Sequence, residues 1–238
     1  MKHEPPRGGP VNNGLLRALP RDEFERLAPH LEPSRLTKGK ILTEVGDPIR
    51  YVYFLCGGMV SLLSITEHGE TVEIGTVGRE GAVGLPASQG AKRAPYRAVI
   101  QIPSDSLRVG AETLCQEFRR GGELQDLLLS YTHVLVTQIT QSVACNRFHT
   151  VEQRLARWLL MSRDRIGGST FRFTQEDLSQ VLGVPRNGVG VAVGALRRKK
   201  LIGHARGQIT ILEQAGLESA SCECYRIVRD EISGALPA

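Results

Sequence analysis

The sequence predicts an α+β fold in which an antiparallel β domain is followed by a long helix and a winged helix-turn-helix. Three observations support it. Short apolar runs alternate with turn residues up to residue 109, a stretch without Gly or Pro begins at Glu123, and residues 174–212 alternate helix and turn signals. At 238 residues the chain is long enough for two domains with separate cores.

Composition favours a globular chain without a membrane segment or signal peptide. Hydrophobic residues make up 41% and charged residues 23% of the sequence, and no apolar run reaches the length needed to cross a bilayer. The first fourteen residues are rich in Pro and Gly, lack an apolar signal region and are expected to be disordered. Five scattered cysteines favour reduced thiols over a disulfide framework, so a cytoplasmic protein is expected.

The N-terminal part predicts one short helix and then a β domain. Residues 15–31 have helical apolar spacing, and from residue 34 the period changes to short runs at 41–42, 51–56, 59–65, 71–77, 97–102 and 106–109. Strands at this spacing, with turn residues between them, indicate an antiparallel sandwich or barrel. A glycine-rich, partly basic loop at 78–95 interrupts the strands and is the stretch that could hold a small ligand.

Residues 123–147 predict a helix of about seven turns, after a short helix at 111–118. Heptad-like spacing along the long helix relates Leu124, Leu128, Tyr131, Leu135, Gln138 and Ser142. A long helix between two domains is a natural dimer seam, so we expect a homodimer held together by this face. The alternative is a helix buried only against its own β domain.

Residues 174–183 predict the first helix of a helix-turn-helix. Thr174 and Asp177 have the spacing of an N-terminal capping box, with Asp in place of the usual Glu or Gln. An apolar face follows them, and Gly183 can end the helix in a turn. An amphipathic helix expected at 151–166 would pack beneath this helix.

A second helix is expected to begin with Pro185, whose missing N–H costs nothing at the first helical position. Val189, Val193 and Leu196 give this helix a buried side and leave a polar side opposite. Apolar runs at 201–202 and 209–212 flank the turn-like residues 205–207 and predict a β wing. The physical use of a winged helix-turn-helix is to lay its second helix in the major groove of DNA.

Charge favours DNA over protein as the partner of this segment. Residues 147–207 contain 12 Lys and Arg against 4 Asp and Glu, whereas residues 1–146 carry 16 of each sign. The positive charge is therefore concentrated where the helix-turn-helix pattern lies, as binding to the phosphate backbone requires. The alternative is a helical protein-interaction domain.

The order of β domain, long helix and winged helix-turn-helix resembles the Crp/Fnr family of bacterial transcription regulators. The resemblance covers roughly residues 15–213 and is most specific in two stretches: FTQEDLSQVLGVPR at 173–186, and the GDP…YFL…GGMVSL pattern of the β domain. It implies a sensory β-roll of the cyclic-nucleotide-binding type at 15–121, a dimerisation helix at 122–147, a DNA-binding domain at 148–213 and a tail at 214–238. It also implies a homodimer that reads a two-fold-symmetric site in double-stranded DNA and recruits or blocks RNA polymerase.

The segment that would hold an effector departs from the family pattern. Members that bind cyclic nucleotides use a Gly-Glu-Leu-Gly turn and an Arg-Ser pair, whereas this turn reads Gly81-Ala82-Val83-Gly84 and Pro95-Tyr96 stands where the pair is expected. The carboxylate that binds the ribose and the guanidinium that binds the cyclic phosphate in those members are therefore both missing here. Lys92, Arg93 or Arg97 could still neutralise an anion, the alternative being a solvated basic loop. We expect an effector other than cyclic AMP, of unknown identity, if one binds at all.

The resemblance also assigns DNA contacts. Arg186 matches the base-reading arginine of the family and could contact guanine, Asn187 would favour adenine, and Val191 could meet only a thymine methyl. Gly188, Gly190 and Gly194 together cost roughly 2–3 kcal/mol of helix propensity, which indicates close approach to DNA or, for Gly194 above all, packing against the preceding helix. The remaining predicted contacts, the first two of them with phosphate at a helix N-terminus, are Thr174, Gln175, Pro185, Arg197, Lys199 and Lys200.

Other chemistry is not indicated by the sequence. Cys222 and Cys224 offer two thiolates, short of the four ligands of a structural zinc site, although His204 or a second subunit could complete one. No cysteine precedes Cys56, which argues against the N-terminal iron–sulfur cluster of oxygen-sensing members. We expect no metal, no cofactor and no enzymatic activity. The alternatives to an effector-controlled regulator are a ligand-independent DNA-binding member and an effector-sensing module that acts through protein partners.

Overall fold

The computed structural model describes residues 12–205 and 207–236. Most of the N-terminal segment expected to be disordered lies outside these residues, as does position 206 in the expected wing turn. Within the described part of the chain, no helix combines the length and the hydropathy that a bilayer span requires.

Two helices replace the single N-terminal helix that the sequence predicts. Helix α1 spans Gly14–Ala18 and helix α2 spans Arg21–Leu27, followed by a 3-10 turn at Ala28–His30. Asn13 caps α1 by accepting a hydrogen bond from the Leu16 amide at 3.1 Å. Pro20, with extended backbone (ψ 150°), is the N-cap of α2 and separates the two helices.

Eight strands form the β domain, in two antiparallel four-stranded sheets. One sheet has the order β1-β8-β3-β6 and the other the order β2-β7-β4-β5. The strands are β1 Glu32–Leu36, β2 Ile41–Thr43, β3 Tyr51–Leu55, β4 Met59–Ile65, β5 Thr71–Val77, β6 Ala82–Val83, β7 Arg97–Ile102 and β8 Ser104–Gly110. The predicted antiparallel β domain is confirmed, and β1 and β6 are strands that the apolar runs do not reveal.

Three helices follow the strands: α3 at Ala111–Arg119, α4 at Glu123–Phe148 and α5 at Val151–Ile166. Helix α4 has 26 residues, as the uninterrupted stretch predicts. Thr150 begins α5 with a complete capping box to Gln153, and Gly167 ends it with φ 71°. These local signals fix the ends of α5 where the sequence predicts them.

The winged helix-turn-helix is present in the order expected from the sequence. It consists of β9 Thr170–Arg172, α6 Gln175–Leu182, α7 Arg186–Arg198, β10 Ile202–Ala205 and β11 Gln208–Ile211, with the strands ordered β10-β11-β9. Its core includes an edge-on contact between the Trp158 and Phe173 rings, whose centroids lie 4.6 Å apart. Leu155, Leu159 and Leu196 are fully buried in the same compact unit.

The expected C-terminal tail is helical. Helix α8 spans Gln214–Ala220 and helix α9 spans Cys224–Ala235. Leu217, Tyr225 and Val228 are buried, and the Tyr225 hydroxyl donates a hydrogen bond to Asp164 on α5 at 2.9 Å. The tail is therefore an integral part of the packing around α5.

The chain divides into two compact units. One contains residues 12–62, 76–134 and the end of α9 from residue 232, and the other contains residues 63–75 and 135–231. The tip of the β4–β5 hairpin thus belongs to the second unit, where Val72 lies beside the α6–α7 turn at Gly183. Helix α4 is continuous from the first unit into the second.

Candidate functional site

The helix-turn-helix begins with a well-formed cap on α6. The Asp177 amide donates to the Thr174 hydroxyl at 3.0 Å, and the Thr174 amide donates to the Asp177 carboxylate at 2.8 Å. Thr174 and Gln175 are exposed at this helix start. Gly183 ends α6 with φ 60°, a left-handed conformation that glycine adopts without a steric cost. The predicted capping box and turn are confirmed.

Helix α7 presents two contrasting faces. Val189, Ala192, Val193 and Leu196 are buried, whereas Arg186, Asn187 and Val191 are exposed, Val191 by 71%. Pro185 is the N-cap of α7 with ψ 151°, so it precedes the first helical residue instead of occupying it. An exposed polar face on a helix that is held from the other side by apolar packing is available to a ligand outside the chain.

Arg186 is held by a neighbour within the helix-turn-helix. Its guanidinium is ion-paired with the Glu176 carboxylate on α6, and both side chains are well exposed. Asn187 is also engaged, because its side-chain oxygen accepts a hydrogen bond from the Gly188 amide at 3.0 Å. Both side chains would have to change partners in order to contact base edges.

The C-terminal end of α7 and the residues that follow it carry four consecutive basic side chains. Arg197, Arg198, Lys199 and Lys200 are all exposed. Lys199 pairs with Glu152 at 2.6 Å, and Lys200 has φ 58°, which directs the chain from the helix into the wing. Positive charge is favourable at the C-terminal end of a helix dipole and is also suited to phosphate oxygens.

Among the described residues, none lies close enough to the glycines of α7 to require the absence of a side chain there. A Cβ atom at Gly188 would come no closer than 3.9 Å to Val184, and one at Gly190 would lie 3.8 Å from the Gln175 side-chain nitrogen. At Gly194 the nearest atom is the Arg198 guanidinium at 3.4 Å. These are ordinary contacts, so the interpretation that Gly194 is needed for packing against the preceding helix is wrong.

The expected effector pocket around Gly81–Gly84 is filled from within the chain. A Cβ atom at Gly81 would lie 1.8 Å from the hydroxyl of Tyr131, which is 1% exposed. Ala82 and Val83 are fully buried in β6, and Gly84 has φ 93°. The Tyr131 ring thus occupies the space beside Gly81, and the expectation that this turn contacts an effector stays a prediction.

The two remaining residues of the expected pocket are also occupied or buried. The Arg97 guanidinium pairs with Glu44 at 2.8 Å, and this hydrogen bond lowers the pKa of the Glu44 carboxyl. Tyr96 is 6% exposed, and its hydroxyl has no hydrogen-bond partner among the described residues. Burial raises the pKa of Tyr96 to about 12. A cyclic phosphate would have to displace Glu44 from Arg97.

The predicted dimer seam faces the interior of the chain. Its six residues are each no more than 8% exposed: Leu124, Leu128, Tyr131, Leu135, Gln138 and Ser142. Their assignment as a face open to a second chain is therefore wrong. Apart from Phe148 at its last position, the large exposed apolar side chains of α4 are Leu129, Val136 and Val143, with exposures of 46%, 54% and 66%. They too recur every seven residues, and the heptad pattern did not distinguish the two faces.

Four side chains that are distant in the sequence converge at the C-terminal end of α4. The ligand atoms of Cys145, His149, Cys222 and Cys224 all lie within 4.8 Å of one another. Cys145 and His149, not His204, are thus the neighbours of the Cys222–Cys224 pair. The Cys145 and Cys222 thiols share a hydrogen bond, which lowers the pKa of Cys145 to about 5 and raises that of Cys222.

Comparisons with known proteins agree with this architecture. Residues 33–120 match the cyclic nucleotide-binding domain family, and residues 153–220 match the Crp-like helix-turn-helix domain family. No curated protein matches the sequence. Among solved structures, FixK2 from Bradyrhizobium japonicum is 17% identical with a TM-score of 0.69, over 81% of this chain and 98% of its own.

Two further solved structures share the fold. The c-di-GMP-responsive global regulator CLP from Xanthomonas campestris is 16% identical with a TM-score of 0.64, over 80% of this chain and 98% of its own. A CRP-family transcriptional regulator from Thermus thermophilus is 17% identical with a TM-score of 0.56, over 79% of this chain and 96% of its own. At these identities the likeness concerns the fold.

Proposed function

Because the chain belongs to the Crp/Fnr family of transcription regulators, we propose that it is a homodimer that reads a two-fold-symmetric DNA site without cyclic AMP. The observation that carries this proposal is the exposed face of α7, which presents Arg186, Asn187 and Val191 opposite a buried apolar face. The second helix of a helix-turn-helix contacts base edges with its N-terminal residues, and these three residues lie in the first two turns of α7.

Base reading by Arg186 requires an exchange of partners. In the protein alone, Glu176 neutralises the Arg186 guanidinium. Guanine offers two acceptors in a geometry that matches the guanidinium, and a bidentate contact of this kind discriminates by about 1–3 kcal/mol. A single phosphate can compete with Glu176 for charge but does not offer the same paired acceptors. The ion pair with Glu176 therefore weakens the binding of Arg186 to phosphate more than its binding to guanine.

Dimerisation is proposed through the exposed stripe of α4, formed by Leu129, Val136 and Val143. These side chains recur at the seven-residue spacing of a coiled-coil seam. They are apolar and exposed, while the opposite face of the same helix is buried within the chain. Two copies related by a two-fold axis would each bury this stripe against the other, and reading of a two-fold-symmetric site requires their recognition helices to be about 34 Å apart.

Independence from cyclic AMP is proposed from the state of the β-roll. Tyr131 fills the space at Gly81, and Glu44 neutralises Arg97. An anionic ligand that binds Arg97 would first have to displace the Glu44 carboxylate. This exchange would break a partly buried ion pair, which costs free energy. These observations favour DNA binding in the absence of added ligand.

The test is selection of bound duplexes from a random DNA pool, with purified protein and no added ligand. The expected result is a palindrome whose half-sites are centred about one helical turn apart. A Val136→Glu variant, which places a charge on the exposed stripe, is expected to sediment as a monomer and to bind half-sites weakly. The matched control is Ser130→Glu, which adds the same charge at an exposed position of α4 about 120° around the helix axis from the stripe.

Failure to recover any motif, or recovery of a palindrome by both wild type and a monomeric Val136→Glu variant, would contradict the proposal. Binding that depends steeply on salt would exclude the alternative of apolar docking to protein partners, because each phosphate contact releases counterions. Recovery of a palindrome only after addition of cyclic AMP would refute the ligand-free mode while leaving the helix-turn-helix assignment in place.

A further inference from the structure

We propose that Cys145, His149, Cys222 and Cys224 form a structural zinc site that fastens the C-terminal segment to the junction between α4 and α5. All four residues belong to the second compact unit. Cys145 lies in the last turn of α4 and His149 directly follows that helix, while Cys222 precedes α9 and Cys224 begins it. The proposal is independent of the DNA-binding function.

The distances fit one tetrahedral ion. Zinc–sulfur bonds of about 2.3 Å at a tetrahedral centre place the ligand sulfurs about 3.8 Å apart. The Cys145 and Cys222 sulfurs are separated by 3.5 Å, and the Cys224 sulfur lies 3.7 Å from Nδ1 of His149. No pair of the four ligand atoms exceeds 4.8 Å. An iron–sulfur cluster would need its cysteines further apart, because they bind different iron atoms.

The donor set and its burial are also those of a structural site. Three thiolates and one imidazole form a Cys₃His set, in which protein ligands occupy every position of a tetrahedral ion. Cys145, Cys222 and Cys224 are at most 4% exposed, and His149 has a side chain that is 14% exposed. A closed set of protein ligands leaves no position for a substrate, so the role is structural rather than catalytic.

The groups around the four ligands match those that support bound zinc in proteins. His149 directs Nδ1 towards Cys224 and Nε2 towards the Glu223 carboxylate, which lies 3.3 Å away. A zinc-binding histidine usually donates its second ring N–H to a carboxylate or carbonyl in this way. The carboxylate thus selects the tautomer in which Nδ1 is free to bind a metal.

A buried cation balances the charge of the proposed site. A zinc ion with three thiolates and a neutral imidazole carries one net negative charge. Arg157 is 9% exposed, acts electrostatically on Cys145, and has an Nε atom without a hydrogen-bond partner among the described residues. An anionic metal centre would supply the counter-charge that this buried arginine needs.

A disulfide between Cys145 and Cys222 is the competing interpretation. It would account for two of the four converging side chains, but not for the approach of His149 to Cys224 or for the Glu223 contact. A single ion accounts for all of them. Each of two short segments also supplies two potential ligands, Cys-x₃-His at 145–149 and Cys-x-Cys at 222–224. A metal site uses both pairs, whereas a disulfide uses only one cysteine from each segment.

The first experiment measures metals in the full chain after tag removal, by inductively coupled plasma mass spectrometry. The expected result is about one zinc per chain, with loss of at least nine tenths of it in Cys224→Ser. Cys115→Ser is the matched control, because Cys115 lies in α3 of the other unit, and it is expected to retain the wild-type zinc content. Equal zinc in wild type and Cys224→Ser, or iron with acid-labile sulfide, would overturn the proposal.

The second experiment does not depend on folding of a ligand-free variant. Wild type produced in cobalt-supplemented medium is expected to show thiolate-to-cobalt charge transfer and the visible bands of tetrahedral cobalt. Cys224→His, which replaces one ligand by another, is expected to keep the metal with weaker charge transfer. A featureless cobalt spectrum with no uptake of zinc, or freshly purified protein whose mass shows a Cys145–Cys222 disulfide, would refute the site.

Discussion

Two glycine-containing segments of this protein differ in what occupies the space beside them. At Gly81, in the β domain, the Tyr131 ring lies where a side chain would be. At Gly188 and Gly190, on α7, the nearest atoms leave room for a Cβ. Packing within the chain explains the first glycine. The other two reduce helix stability, and no described residue comes close enough to require glycine at either position, as the proposed approach of DNA would require.

Closely spaced glycines occur in both segments, but the structure gives them different interpretations. The Gly81–Gly84 turn resembles a ligand-binding turn, yet its groups are used by the protein itself. The glycines of α7 make its sequence a weak helix former, yet the helix keeps its polar side chains exposed. A contact with DNA is therefore better supported than a contact with an effector at the predicted turn.

Gly81→Ala has the largest expected effect and would test the first half of this comparison. The new Cβ would overlap the Tyr131 ring, so we expect a loss of about 3 kcal/mol or more of the free energy of unfolding. Chemical denaturation monitored by circular dichroism would measure it. Gly168→Ala is the control, because nothing lies within 4 Å of a Cβ there. Equal stability of the two variants would mean that Tyr131 does not fill the turn.

Arg186→Ala has the next largest expected effect, on the specificity of DNA binding. We expect a loss of about 1–3 kcal/mol for the preferred site and relaxed preference at one base position. Arg197→Gln is the comparison variant, since a phosphate contact should weaken all sequences alike and reduce the salt dependence by about one unit of slope. Binding titrations on sites that differ by single base pairs would separate the two. Identical profiles would contradict the assignment of Arg186 to base reading.

Gly190→Ala has the smallest expected effect on stability, with the opposite sign to Gly81→Ala. Alanine in a helix interior is favoured by about 0.5–1 kcal/mol over glycine, and a Cβ at this position would meet only ordinary contacts. We therefore expect a small rise in melting temperature together with weaker DNA binding.

Gly194→Ala is the matched control for that variant. It brings a similar gain in helix propensity one turn further from the N-terminal end of α7, where base contacts are expected. Its DNA affinity is expected to change less than that of Gly190→Ala. A Gly190→Ala variant that is stabilised and binds DNA as well as wild type would show that the backbone of α7 makes no close approach.

Local signals in the sequence were sufficient for most of the fold. The amphipathic pattern at 151–166 predicts helix α5 with both ends correct, and the structure shows that Thr150 caps this helix and Gly167 ends it. Strand β1 was missed because only Leu36 among its five residues is buried, so its sequence shows no alternation. The single N-terminal helix was predicted in error because its apolar spacing continues across Pro20.

The parts of the site that were mispredicted depend on contacts between distant residues. Helix α4 has apolar residues on two faces, and heptad spacing alone does not tell which face meets the chain's own core. Gly81 appears permissive until the position of Tyr131, fifty residues later, is known. The approach of Cys145 to Cys222 spans 77 residues of sequence, a separation over which no short motif is informative.

That same separation has a consequence for the unfolded chain. A link between positions 145 and 222 would close a ring that contains α5, the whole winged helix-turn-helix and α8. In polymer terms, a ring of this size removes conformational entropy from the unfolded ensemble worth between about 3 and 5 kcal/mol, by the loop-closure relation that applies to covalent crosslinks. The DNA-binding domain would then behave as a circularised module, whose two ends remain together even when its helices separate.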